Sequence, residues 1–154
     1  MEIIDSHTHW GPSVTMGIEV TTAELLRQAE QGGVERIVIF PFPSQAIADE
    51  GINEQVLKEA NRDQRFIPYY YIPDDLRPIP KEKGFYGGKW HWTRGVQDSS
   101  SNYQVLNDPR LKGFIEASEA IDLPIIFEEE LAFTETFVRM TKTLKIICLL
   151  YTSP

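Results

Sequence analysis

Three of the 154 residues are histidines, and two of them, His7 and His9, are separated by a single residue. They follow a short apolar run, Ile3-Ile4, which reads as the start of an extended strand. Side chains at i and i+2 of a strand emerge on the same face, so both imidazoles project together. Two neutral imidazoles on one face form a natural chelate for Zn²⁺ or another first-row divalent ion. Gly11-Pro12 is expected to break the strand, which puts the pair at its C-terminal end. The alternative is a strand end whose histidines are surface or capping groups.

A metal centre needs a scaffold, and the rest of the chain alternates strand with helix. Thr21 or Thr22 is a hydroxyl N-cap for a helix over 23–30, with Leu25, Leu26 and Ala29 as its apolar stripe and Gly32-Gly33 as its end. Residues 34–40 form a β-branched and aromatic run that reads as a buried strand. Helix over 52–61, strand over 66–72, loop over 74–84 and strand over 85–92 follow. Pro68 belongs near a strand start, and Gly87 and Gly88 mark close backbone approaches. Residues 93–102 read as loop and 103–121 as helix interrupted near Asp108-Pro109. A strand over 124–127, a helix over 134–142 and a strand opening at 144–147 complete the pattern. Strand and helix in alternation mean a parallel sheet with helices outside.

Composition fits one soluble domain, with 42% hydrophobic and 25% charged residues. A net charge of −8 argues against nucleic acid or an anionic membrane as partner, since both require a basic patch. No signal peptide is visible, and no apolar run approaches the roughly 20 residues that span a bilayer. A single cysteine excludes an internal disulfide framework and suits a reducing, cytoplasmic setting. The composition leaves room for a homo-oligomer. The ending from Cys148 to Pro154 is similar to a translated sequencing adaptor. Residues 1–147 are therefore expected to be the domain, and 148–154 a non-native read-through tail.

The segment Ile4-Asp5-Ser6-His7-Thr8-His9 resembles the N-terminal metal motif of the amidohydrolase superfamily. More narrowly, it is similar to the amidohydrolase-related hydrolases and decarboxylases. Gly88-Lys89-Trp90-His91 is similar to the Gly-x-Lys-x-His segment of that group. Leu123-Pro124-Ile125-Ile126-Phe127 is similar to its apolar strand that often ends in a histidine. The resemblance covers 1 to about 147. It implies an α/β fold, the N-terminal part of a (β/α)₈ TIM barrel, truncated after about the fifth or sixth strand, since the whole barrel takes about 250 residues. It further implies a divalent centre at the C-terminal strand ends, with zinc favoured and manganese or iron as alternatives. The expected catalytic aspartate lies beyond residue 154.

Glu128 stands where the histidine is common, so it either ligates the metal beside His7 and His9 or belongs to a solvated acidic turn with Glu129 and Glu130. His91 is a candidate to orient substrate or reach the metal, against packing between Trp90 and Trp92. Lys89 is a candidate to neutralise a substrate carboxylate, against pairing with an acid. Trp10 is a candidate substrate contact, and Asp5 a candidate to hold a ligand histidine's other nitrogen. The aromatics at 69–71, 85–86, 90 and 92 serve either a substrate wall or the core. The implied activity is metal-dependent hydrolysis of an amide, lactone or ester in a small molecule. Decarboxylation of an aromatic or unsaturated acid is the alternative, as is an inactive barrel fragment or binding protein.

Overall fold

The computed structural model describes residues 2–95 and 98–150, apart from the side chains at 93–95, 99 and 150. In chain order it has β1 (Ile4–Ser13), β2 (Ile18–Val20), α1 (Thr22–Gly32), β3 (Arg36–Pro41), α2 (Pro43–Ala48), α3 (Ile52–Ala60), β4 (Phe66–Tyr71) and β5 (Gly87–Trp90). There follow β6 (Thr93–Gly95), β7 (Asp98–Ser101), α4 (Leu111–Ile121), β8 (Ile125–Glu129), α5 (Leu131–Met140) and β9 (Ile146–Leu150). A 3₁₀ turn at Tyr103–Asn107 precedes α4, which accounts for the interruption expected at Asp108-Pro109.

Seven strands form one sheet in the order β2-β1-β3-β4-β5-β8-β9. Every neighbouring pair is parallel except β1–β2, the hairpin at one edge. Helices pack on one face. Leu25 and Ala29 of α1 and Val56 and Ala60 of α3 bury Ile37, Ile39 and Phe66. Further along, Phe114 of α4 and Phe133 and Phe137 of α5 bury Trp90, Ile125 and Phe127. The opposite face carries a small cluster of Val38, Phe40, Tyr69 and Ile126, drawn from strands alone. This mixed α/β arrangement is compatible with part of an α/β barrel. No helix among the described residues is long and apolar enough to cross a membrane.

Local chemistry explains most of these boundaries. The Thr21 hydroxyl accepts from the Glu24 N–H, and Gly33 closes α1 with a left-handed φ of 67°. At Gly87 a Cβ would lie 2.4 Å from the Tyr69 ring and 2.7 Å from the Pro124 carbonyl oxygen, so only glycine lets β5 sit this close to its neighbours.

Several elements differ from the sequence reading. The strand does not stop at Gly11-Pro12: Gly11 takes φ 87°, and β1 runs on to Ser13, where it pairs with β2. The segment 93–102, expected to be loop, contains the β6–β7 hairpin. Helix α2 was not anticipated, because its six residues are too few to show a period. The last strand, β9, pairs residue for residue with β8, from Ile125↔Ile146 to Glu129↔Leu150. It continues the strand expected to open at 144–147. Residues 151–154 of the expected tail lie outside the described residues.

Candidate metal centre

The strand-only face gathers polar groups at the C-terminal ends of the parallel strands. His7 and His9 come from β1, Lys89 from β5, His91 from just after β5, and Glu128 from β8. Alternation decides which residues arrive there. Trp90 and Phe127 point into the helix-facing core, so Lys89, His91 and Glu128 point the other way. One nitrogen from each of His7 and His9 and one oxygen from Glu128 lie within 4.8 Å of one another. The spacing of the histidine pair thus delivers the shared face that the sequence implied.

Each group is held by its own neighbours. The Nδ1–H of His9 donates to the Pro41 carbonyl at 3.2 Å, which leaves Nε2 as the free lone pair. That orientation by a backbone carbonyl is the usual support of a metal-ligating histidine. Burial, with the Lys89 charge nearby, pushes the His9 pKa down to about 3, so its ring is neutral near pH 7. Phe40 lies beneath the cluster, with its ring 5.1 Å from that of His7 and 4.9 Å from that of His9. Phe42 stacks on His9 at 4.6 Å. These two aromatics, read from the sequence only as a strand and its end, form the floor of the centre.

Glu128 is the hub. Its Oε2 lies 3.2 Å from His7 Nε2 and 3.4 Å from His91 Nδ1, and it accepts a hydrogen bond from Lys89. Burial alone would raise its pKa. The close approach of the His7 and His91 rings and the charge and hydrogen bond of Lys89 outweigh that, holding the carboxyl well below the usual carboxylate range. Lys89 is fully buried, and its Nζ also donates to His7 Nε2 at 2.9 Å. Burial lowers the Lys89 pKa, against the opposing pull of Glu128.

The structure thus brings His7, His9, Glu128, Lys89 and His91 together. Lys89 pairs with an acid of the protein, the simpler of the two roles open to it. Trp10 is not brought in: its indole N–H donates to Thr22 Oγ1 at 3.0 Å, and its ring packs with the α1 cluster. One position from His9 along a strand, it falls on the opposite face. Asp5 accepts from the His7 backbone N–H at 3.1 Å, a local bond within the strand. Tyr69, Tyr71, Phe85, Trp90 and Trp92 are buried in the core. No protein-family model matches the chain, and neither does any curated protein sequence.

Glu129, grouped in the sequence with an acidic run, is buried on the far side of β8 from Glu128. It accepts from the Trp92 N–H at 2.7 Å and from the Ser101 hydroxyl at 2.5 Å, tying both ends of the β6–β7 hairpin to β8. Burial raises its pKa to about 7. A carboxyl whose folded pKa is raised binds more protons folded than unfolded. Its contribution is therefore favourable at acid pH and is lost as pH rises from about 4.5 to about 7. The loss is about 3 kcal/mol over that window. Comparing denaturant unfolding at pH 5 and pH 8, Glu129→Gln should erase most of this decline relative to the wild type. An unchanged difference between the two pH values would refute the assignment.

Proposed function

We propose that the protein is a metal-dependent hydrolase of the amidohydrolase type, acting on an amide, lactone or ester of a small organic substrate. In this reading the parallel sheet is the first part of a (β/α)₈ barrel, and the centre lies at its catalytic face. The cytoplasm is the proposed setting. The observation that carries the proposal is the convergence of His7, His9 and Glu128 from β1 and β8, 121 residues apart between His7 and Glu128. Two imidazoles and a carboxylate with an open side fit zinc, and manganese or iron(II) as well.

A divalent ion bound there would supply Lewis acidity and lower the pKa of water toward neutrality. The chain's own residues do the rest. Pro41 fixes the His9 tautomer so that Nε2 faces the centre. Phe40 and Phe42 exclude water from beneath both rings. Glu128, ionised and hydrogen-bonded, supplies the negative charge that favours a cation.

The test is metal content after loading with zinc or manganese and removal of excess ion. The wild type should retain about one ion per chain, and a His7→Ala/His9→Ala double variant should retain almost none. Equal retention by both proteins would end the proposal.

A further inference from the structure

We infer that Lys89 is a built-in cation that occupies the coordination face of His7 and Glu128, and that a divalent ion binds only by expelling its ammonium group. The inference rests on the metal reading above and goes beyond it, since it assigns to Lys89 a role opposed to binding.

Three observations converge on this residue. First, Lys89 Nζ donates to the two atoms that a metal would use, His7 Nε2 at 2.9 Å and Glu128 Oε2. A zinc ion would need to sit about 2.0–2.2 Å from those same atoms, along the lone pairs the ammonium now engages. Second, the ammonium lies 4.9 Å from the centre of the Phe40 ring, so an aromatic face helps hold it. Third, the side chain is fully buried, whereas those of His7 and Glu128 keep 29% and 16% exposure. The ligands face solvent and the lysine approaches from inside the sheet. An ion entering from solvent meets the ligands first and must push Nζ back along β5.

The arrangement gives the centre two alternative occupants. With Lys89 in place, the Glu128 charge is matched by an ammonium and the ligand atoms stay assembled. With a divalent ion in place, the ammonium would face a second cation at short range, which is strongly repulsive in a half-buried setting. Lys89 therefore sets a threshold: weakly held cations do not displace it, and only ions that gain enough from two imidazoles and a carboxylate do. Lys89 is a positioning residue in this account and not a ligand.

The test is zinc affinity by calorimetry for the wild type and for Lys89→Met, a neutral side chain of similar length. Lys89→Gln serves as a second variant should the first fail to fold, which circular dichroism reports. Removing the competing charge should tighten zinc binding by about tenfold or more. Unchanged or weaker zinc binding in a folded variant, with the wild type still binding through His7 and His9, overturns the role of Lys89 and leaves the metal reading standing. Weaker binding that bicarbonate strengthens in the wild type would make the lysine a carboxylated ligand and equally overturn it. If neither wild type nor variant binds zinc, the metal reading fails and this inference falls with it.

Discussion

Glu128→Ala should destabilise the protein by about 3–5 kcal/mol, among the largest effects of any single change outside the apolar core. The variant removes the carboxylate that faces the Lys89 ammonium, which has no exposure to solvent. His7 Nε2 remains as an acceptor but carries no negative charge to offset the ammonium. The cost comes from the charge left behind, so removing both partners should be far milder. In Lys89→Met/Glu128→Ala most of the loss should be recovered, because a buried pair replaced by apolar groups is often close to neutral. Urea unfolding of the wild type, the two single variants and the double variant checks this. A single-variant cost below about 1 kcal/mol, or a double variant no better than Glu128→Ala, would show that Lys89 does not depend on this carboxylate.

Phe127→Ala should cost a similar amount, about 3–5 kcal/mol, through a cavity instead of a charge. Phe127 is fully buried, with its ring 4.6 Å from Phe137, 5.5 Å from Trp90 and 5.9 Å from Phe133. Those partners come from β5 and α5, so the loss loosens the packing of both against β8. The midpoint of denaturant unfolding should fall with little change in slope. A second consequence reaches the centre, because Phe127 immediately precedes Glu128. A β8 that shifts to fill the void also moves the carboxylate, and zinc affinity should fall even though no ligand is altered. A loss of stability with fully preserved affinity would separate the core from the site and contradict that coupling.

The sequence made the first strand's chemistry legible because a period of two is a local property. His7 and His9 share a face whatever else the chain does, and the caps of α1 are equally local. The same rule, applied one residue further, excludes Trp10 from that face, and applied past Phe127 it separates Glu128 from Glu129. What no local pattern carries is registry between strands. That His9 lies beside Phe40 follows from the β1–β3 pairing, in which Thr8 opposes Ile39 and His9 opposes Phe40 after an irregularity beyond Asp5. The aromatic floor and the reach of Lys89 to His7 across 82 residues depend on that register. The β6–β7 hairpin was hidden for a different reason: its residues are polar, and Glu129 holds it through hydrogen bonds instead of an apolar stripe.

The most direct measurement is X-ray absorption at the zinc edge of the loaded protein. The account predicts a first shell of nitrogen and oxygen only, at about 2.0–2.2 Å, with the outer-shell scattering of two imidazoles. A sulfur scatterer at about 2.3 Å would instead assign the ion to Cys148, the sole cysteine and an exposed one. That result, or a shell without imidazole, would contradict the claim that His7 and His9 hold the metal.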